Sequence, residues 1–299
     1  MSADANVGVD SLPRNLPERT SNCVRLLLVG DVVGKPGMRI ACEAVNWLRR
    51  ELQVDGLIAN AENAADGSGL RCKDYRRLIV AGYDAITLGD HVYRKREIME
   101  TLETQANIVR PCNLPAAAPG KTNIVVTLRD QVQVAIVSAL GRVFMKPIDC
   151  PFRAVESELA SIDDEIRIRL IDFHAEATSD KQLMGRFLDG RVSVVLGTHT
   201  HVATADQQIL PGGSGYHSDV GMTGPFESIL GRKIAAVMEA TLDSIPLPFQ
   251  VATNDVRLNG TWCDIDIYSG KCMAIGRIEL YDQPLARYNA AQTAQRKVL

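Results

Sequence analysis

Short apolar runs alternate with segments of helical apolar spacing along the first part of the chain. Strands are predicted where the runs are rich in aliphatic residues, at Val24–Val29, Gly56–Ala59, Asp84–Leu88 and Asn107–Arg110. Helices are predicted between them, at Ile40–Leu52, Lys73–Ala81 and Lys95–Glu103. This alternation implies parallel strands that are joined by crossover helices.

The rest of the chain is richer in strands. Ile124–Leu128 and Val132–Ala139 flank a short polar turn and predict a hairpin. Further strands are predicted at Ile166–Phe173, Arg191–Leu196, Gln208–Leu210, Gly215–Asp219, Leu247–Thr253, Thr261–Tyr268 and Lys271–Leu280, with helices at Pro151–Ile162 and Ala177–Leu188. The predicted fold class is therefore α/β.

The chain has 299 residues, which is enough for one large domain or two ordinary ones. It contains no internal repeat and no linker that divides it. We predict a flexible extension over the polar residues 1–22, one folded domain over residues 23–283, and a polar tail over residues 284–299 that is either helical or loose.

Net charge, apolar runs and cysteine spacing indicate which partners and which compartment to expect. With a net charge of −3 the chain lacks the basic field that attracts nucleic acid or anionic membranes, so we expect no stable complex with either. No apolar run is as long as a transmembrane helix, and the N-terminus lacks the apolar stretch of a secretory signal. The seven cysteines are scattered and form no Cys-x-x-Cys pair, which is typical of a reducing compartment. We therefore predict a cytoplasmic protein.

The segment Gly197-Thr198-His199-Thr200-His201 follows the predicted strand Arg191–Leu196. Residues two apart in an extended chain point the same way, so His199 and His201 are predicted to face one pocket. Imidazole is the commonest metal ligand of proteins near neutral pH. An isolated His-x-His pair is also common as a plain polar strand end, so the interpretation depends on what lies at the other strand ends.

Side chains of similar chemistry follow several other predicted strands, namely Asp31, Glu62, Asn63, Asp90, His91 and His174. Each acidic residue alone is equally well explained as a helix cap or a solvated charge. Together they form a set of oxygen and nitrogen donors without sulfur, which suits manganese, iron or zinc. The donors outnumber the four or so that one zinc ion needs. Two ions about 3.5–4 Å apart, sharing a carboxylate and a hydroxide, would use them in phosphoryl displacement.

Other hydrolase and nucleotide motifs are absent from the sequence. Gly30, Gly34 and Gly37 do not match the dinucleotide spacing, and no Gly-x-Ser-x-Gly elbow occurs. Three polar residues near the predicted site could contact phosphate or serve the structure, namely Arg110, Asn113 and Lys181. The fifth histidine, His217, is predicted at the surface or at a pocket rim.

Six motifs in this order resemble the YmdB-type branch of the calcineurin-like metallophosphoesterases, over about Val24 to Leu280. They are Gly30-Asp31-Val32-Val33-Gly34, Asn60-Ala61-Glu62-Asn63, Gly89-Asp90-His91, Asp172-Phe173-His174-Ala175-Glu176, Gly197-Thr198-His199-Thr200-His201 and Asp219-Val220-Gly221-Met222-Thr223-Gly224-Pro225. The resemblance implies a four-layer α/β sandwich of two mixed β-sheets flanked by helices. It also implies hydrolysis of cyclic nucleotides or related phosphodiesters, and a homo-oligomer. Residues 23–283 would then be the metallophosphoesterase domain.

The resemblance further implies a ligand set for two transition metal ions, iron or manganese, with zinc as an alternative. One ion would be held by Asp31, Asn63 and His201 and the other by Asp90, His174 and His199, with Glu62 bridging them. His91 would stand beside the centre as the proton donor to the leaving oxygen, a role suited to a group that titrates near neutrality.

Two positions depart from the wider superfamily. Val33 stands where its first motif has histidine, a loss that the YmdB branch shares and that Asn63 would replace. Asp90 stands where the third motif has asparagine, which adds a negative charge to the second metal site.

The leading hypothesis is thus a dinuclear, metal-dependent phosphodiesterase that acts through a hydroxide bridging the metals. A metal-bound regulatory protein with little turnover is an alternative, and so is a phosphomonoesterase or protein phosphatase on the same centre. His91 favours an enzyme, because a pure binding module needs no proton donor there.

Overall fold

Two mixed β-sheets packed face to face form the centre of the protein. The computed structural model describes Leu12, Glu18, Arg19 and residues 21–298. Most of the predicted extension over residues 1–22 therefore lies outside the described residues. Strands and helices are numbered in the order in which they follow along the chain.

The first sheet has eight strands. They are β1 (Cys23–Val29), β2 (Asp31–Val32), β3 (Gly56–Asn60), β4 (Ala85–Thr87), β5 (Ile108–Val109), β12 (Met222–Pro225), β13 (Val256–Asp266) and β14 (Cys272–Tyr281). Their order is β2-β12-β13-β1-β3-β4-β5, and β14 pairs with β13. β1 runs parallel to β3 and antiparallel to β13, which makes the sheet mixed.

The second sheet has six strands in the order β10-β11-β9-β8-β7-β6. They are β6 (Asn123–Thr127), β7 (Gln133–Leu140), β8 (Ile168–His174), β9 (Val194–Thr198), β10 (Gln208–Ile209) and β11 (Gly215–His217). β7, β8 and β9 are parallel, whereas β6 and β7 form the predicted antiparallel hairpin.

Seven helices occur among the described residues. They are α1 (Gly34–Arg50), α2 (Cys72–Ala81), α3 (Ile98–Thr104), α4 (Pro151–Ser161), α5 (Thr178–Leu188), α6 (Ile234–Asp243) and α7 (Asp282–Val298). In the part of the chain that the structure covers, no helix combines the length and the apolar character needed to cross a membrane.

The side chains of β1 show why the elements form layers. All seven residues of β1 are buried, because helices cover one face of its sheet and the second sheet covers the other. Leu27 and Val29 pack into the cluster formed with α1 and α2, whereas Leu26 and Leu28 pack into the cluster between the sheets. Helices α4 and α5 cover the outer face of the second sheet. The predicted four-layer sandwich of two mixed β-sheets flanked by helices is confirmed.

The region after β12 differs from the prediction. The run Leu247–Thr253 forms no strand, and only Val251 makes an isolated bridge, to Arg232. Pro248 lies inside this run and has no N–H to donate to a ladder. The structure instead forms α6 earlier in the chain, where no helix was predicted, and β13 begins at Val256 rather than at Thr261.

The polar tail is helical rather than loose. α7 begins at Asp282, and its Leu285 is buried in the cluster that α1 also lines. Asn289 donates a hydrogen bond of 3.0 Å from its side-chain nitrogen to the carbonyl oxygen of Glu43. The tail therefore packs on the helical layer of the first sheet.

A buried ion pair joins the neighbouring strands β1 and β13. The guanidinium of Arg25 contacts the carboxylate oxygens of Asp264 at 2.7 and 2.8 Å. We predict that Asp264→Ala lowers the free energy of unfolding by about 3–5 kcal/mol, because Arg25 then stays buried without its anion. Glu156→Ala is the control, since it breaks an exposed pair with Arg191 that is worth about 1 kcal/mol or less. Urea denaturation measures both variants, and equal losses would contradict the prediction.

Candidate metal centre

Five strands end at one shared edge of the two packed sheets, β1, β3 and β4 from the first and β8 and β9 from the second. The carboxyl ends of strands are where α/β proteins keep their ligand sites. Every residue that the sequence placed in the site lies at this edge: Asp31, Glu62, Asn63, Asp90, His91, His174, His199 and His201. The fold therefore brings all the predicted site residues together, from five strand ends that are far apart in the chain.

One group of donors is formed by Glu62, Asp90, His174 and His199. One ligand atom from each lies within 4.8 Å of those of the others. The Nε2 of His174 is 3.3 Å from the nearer Glu62 oxygen and 3.2 Å from Asp90. The Nδ1 of His199 lies 3.6 Å from the same Asp90 oxygen. This arrangement has the size and the donor chemistry of a metal site.

The remaining predicted ligands lie on the other side of Glu62. The Nε2 of His201 is 3.2 Å from the amide nitrogen of Asn63 and 3.9 Å from Oδ1 of Asp31. The same amide nitrogen donates to Glu62 at 3.0 Å, so Glu62 contacts both groups of donors. The oxygen of Asn63 accepts from His91 instead, and ligation through that oxygen requires a half-turn of the amide.

The outward nitrogen of each ligand histidine already has a partner. The Nδ1 of His174 donates to Thr198, the Nε2 of His199 contacts Glu176 at 3.1 Å, and the Nδ1 of His201 faces the carbonyl oxygen of Leu230. Such partners orient the ring and leave its other nitrogen for a metal.

Asp31 provides the test of whether a cation fits. Its side chain is completely buried, and its Oδ1 accepts no hydrogen bond. Burial raises the pKa of Asp31 to about 8, because the charged form of a carboxylate is costly in a low dielectric and only Oδ2 accepts a hydrogen bond, from the backbone of His199. A metal ion beside Oδ1 would supply the missing partner, so the residues present fit a bound cation.

The pKa values of the histidines reflect the same environment. Burial and the neighbouring His174 lower the pKa of His199 to about 4, and burial lowers the pKa of His201. Both rings are therefore neutral near pH 7, which is the form that binds metals. Burial also lowers the pKa of His174, but Glu62 and Asp90 outweigh it and raise that pKa well above its usual value. The carboxylates thus strongly favour positive charge between them.

The loop that carries His199 and His201 is bent rather than extended. Both residues have positive φ angles, 98° and 65°, which are uncommon for non-glycine residues. The two rings therefore reach opposite sides of Glu62, and they do not point the same way as the predicted strand-like alternation requires. Asp219 accepts from Lys181 at 2.6 Å and from the backbone of Thr200 at 3.1 Å, which holds the bend.

His91 stands beside the donors and outside the group of four. Its backbone N–H donates to Glu62 at 2.8 Å, and its Nδ1 lies 3.2 Å from the other Glu62 oxygen. The hydrogen bond with Glu62 raises the pKa of His91, which favours a protonated ring. Its Nε2 lies 3.7 Å from Asp90. The geometry suits a proton donor held next to a metal pair.

Residues 27–278 match the sequence profile of the family described as "YmdB-like protein". The chain belongs to this family. Among its relatives is a 2′,3′-cyclic-nucleotide 2′-phosphodiesterase of Bacillus subtilis (strain 168), which is 42% identical over 259 residues, or 87% of this chain and 98% of that protein. The predicted family is therefore confirmed.

Solved structures support the same assignment. A structure described as a novel phosphatase from Mycoplasma pneumoniae has a TM-score of 0.82 and 30% sequence identity, over 90% of this chain and 98% of that one. The calcineurin-like phosphoesterase YfkN from Bacillus subtilis matches with a TM-score of 0.53 and 10% identity, over 92% and 97% of the two chains. At 10% identity, the similarity to YfkN shows a shared fold only.

Arg110 and Lys181 of this YmdB-like protein make structural contacts, which is one of the alternatives that the sequence left open for them. Arg110 donates to the carbonyl oxygens of Gly120 and Pro111, and Lys181 pairs with Asp219. His217 is completely buried and bonds Thr261 and the Thr204 carbonyl, so its prediction as a surface or rim residue is wrong. These groups are occupied by backbone or carboxylate partners, because each lies inside a packed layer.

A polar network behind His174 was missed by sequence reasoning. Thr198 accepts from His174 at 2.9 Å and donates to Asp172 at 2.7 Å, and Asn60 donates to Asp172 at 3.0 Å. Thr87 also contacts Asp172, at 2.5 Å. Polar residues inside otherwise apolar strands could have indicated this network. The sequence does not show which of them pair, because the partners lie on other strands and in the other sheet.

We predict that Thr198→Val lowers the affinity for metal about 10- to 100-fold, because His174 loses the partner that orients its ring. Thr261→Val is the matched control: its hydroxyl is equally buried and contacts His217 at 2.7 Å, which is no part of the YmdB-like ligand set. Competition with a chelator measures the affinity of both variants. A similar loss in the control would mean that general loosening, rather than ring orientation, is responsible.

Proposed function

We propose that this protein is a metal-dependent phosphodiesterase that uses two metal ions to hydrolyse 2′,3′-cyclic nucleotides or related phosphodiesters. The observation that carries the proposal is the completely buried Asp31, whose Oδ1 accepts no hydrogen bond, beside a compact set of oxygen and nitrogen donors. The name of the Bacillus subtilis relative supports a phosphoric ester hydrolase of this class.

In this proposal Asp31, Asn63 and His201 would hold one ion, Asp90, His174 and His199 would hold the other, and Glu62 would be shared between the two groups of ligands. Iron or manganese suits these donors, with zinc as an alternative. When bound, the ions supply an activated water and stabilise charge on the phosphoryl oxygens.

The chain's own residues then control orientation and proton transfer. Glu62 holds His91 through the backbone N–H and through Nδ1, which leaves Nε2 free of the Glu62 contacts. The protonated ring donates its Nε2 proton to the leaving alkoxide of the ester, which is the oxygen released from ribose in a cyclic nucleotide.

Two other functions use the same centre. A regulatory protein with little turnover would need the metal ligands but not His91, and the two contacts with Glu62 that fix His91 favour an enzyme over it. A phosphomonoesterase or protein phosphatase would keep the same groups and differ in substrate. The Mycoplasma pneumoniae structure is described as a phosphatase, which is compatible with this alternative.

The compartment and the oligomer are also part of the proposal. None of the seven cysteines forms a disulfide, which supports the predicted cytoplasmic location. The apolar helix α6 has no buried residue, and it exposes Met238 and Leu242. Such a surface supports the homo-oligomer implied by the resemblance. The absence of a stable nucleic-acid complex stays a prediction.

We predict two transition metal ions per chain after loading with Mn²⁺ or Fe²⁺. Asp90→Asn should keep both, because an amide oxygen replaces a carboxylate oxygen at the same reach, but should release one ion more readily to a chelator because it loses a negative charge. Elemental analysis before and after chelation measures this. One ion or fewer per chain in the loaded parent would contradict the dinuclear centre. If Asp90→Asn released its ions to the chelator as the parent does, Asp90 would not be a ligand.

We predict that His91→Ala keeps its metal ions and loses turnover by about 10²–10⁴-fold, the usual contribution of general acid catalysis. The loss should be smaller for bis-p-nitrophenyl phosphate than for a 2′,3′-cyclic nucleotide, because p-nitrophenolate leaves without protonation. Metal analysis and steady-state kinetics on both substrates provide the measurement. If metal and activity were lost together, His91 would be a ligand or a structural residue.

A further inference from the structure

A cavity of about 480 Å³ adjoins the metal centre on the side of Asp90 and His199. Its wall continues through Val92 and Tyr93, which directly follow His91 in the chain. The cavity therefore lies beside the proposed proton donor, where the leaving group of a substrate would be held.

The far wall of this cavity is the loop of residues 141–150, which joins β7 to α4. Buried Asn113 closes the neck of the loop. Its nitrogen donates to the carbonyl oxygens of Leu140 at 2.8 Å and Asp149 at 3.1 Å, and its oxygen accepts from the N–H of Leu140 at 2.8 Å. Both ends of the loop are thus tied to one side chain, which sets where its tip lies.

Phe144 lies at the tip of this loop and lines the cavity. Its side chain is 90% exposed, so it contributes almost nothing to the core. Its φ angle of 62° lies in the left-handed region, which bulky residues rarely adopt. At the near end of the loop, Gly141 donates to the carbonyl oxygen of His174 at 2.9 Å, which ties the loop to a ligand residue. An exposed aromatic ring is therefore held in an uncommon conformation beside the metal centre.

The lining has the chemistry of a nucleotide site. Two aromatic rings, Tyr93 and Phe144, accompany aliphatic side chains, and two cations, Arg94 and Lys146, line the same cavity. Among its described lining residues Asp90 is the only carboxylate. Aromatic rings stack on the faces of nucleobases, and Arg and Lys attract phosphates.

A second cavity of about 440 Å³ beside His201 is less suitable. Its lining includes the carboxylate of Glu279, and the guanidinium of Arg257 already lies over the ring of its Phe226, at 4.7 Å. The first cavity, in contrast, presents a ring that is almost fully exposed.

We propose that the cavity beside Asp90 binds the nucleoside of the substrate and that Phe144 stacks on its base. The inference rests on the proposed function, because it assigns the substrate class of the same centre. Since every base has a π-face, stacking gives affinity without strong preference among bases.

The test compares binding of adenosine 3′-monophosphate with binding of 1-O-methylribose 3-phosphate, which lacks the base, to the Mn²⁺-loaded full-length protein. Calorimetry on the parent should show a clear gain in affinity from the base. Phe144→Ala should reduce that gain about 5- to 150-fold, the range that stacking on an aromatic side chain contributes, and Phe144→Trp should retain it. The affinity for the abasic ligand serves as the reference within each variant.

Tyr268→Ala is the matched control, because Tyr268 is also an exposed aromatic residue, at 73%, and lies on the turn between β13 and β14. It should bind both ligands as the parent does. An equal gain from the base in Phe144→Ala and in the parent, or no gain in the parent, would overturn the inference. The base could increase the affinity of the parent, and Phe144→Ala could remove that increase, in a protein that does not hydrolyse cyclic nucleotides. This result would support the nucleoside subsite and contradict the proposed function.

Discussion

The constraint on which the rest of the site depends is the crowding of negative charge at the shared edge of the sheets. Asp31 and Glu62 are buried there beside Asp90, and the ion pairs of these carboxylates among the described residues are with histidines only. Like charges in a low dielectric repel, and a neutral imidazole does not compensate them. The raised pKa values of Asp31 and His174 are two consequences of one demand for positive charge. Metal ions would meet that demand, and the fold provides the donors to hold them.

Polar residues elsewhere in the interior hold the side chains of this edge in place. Asp172 and Thr198 orient His174 from behind, and the Lys181–Asp219 pair holds the bend that carries His199 and His201. Breaking one member of such a network leaves its partner buried without a bond, which costs more than the bond contributes. Each polar side chain of these two groups has a specific partner, so the cost of burying it without a hydrogen bond is avoided.

The strands were predictable because most of them are buried on both faces. β1, β3 and β9 are buried at every position, so each is a mainly apolar run that is followed by polar residues, with Arg25 as the buried exception inside β1. The same logic failed for Leu247–Thr253, whose apolar composition resembles a strand although its proline and its exposed surface prevent one. It also failed for α6, an apolar helix with no buried face to impose a helical pattern.

By itself the sequence determined the family and the sandwich, because the order of its six motifs resembles one known family. It also determined the strand ends at which the predicted ligands lie, because apolar runs mark the strands and parallel strands end at the same edge of a sheet. Only the tertiary structure decided which nitrogen of each histidine faces the centre, and that His199 and His201 diverge through a bend with positive φ. It also decided that Asn113 closes the loop that carries Phe144 instead of contacting phosphate. The physical reason is that hydrogen-bond partners and ring orientations are set between elements far apart in the chain, whereas apolar periodicity is set within each element.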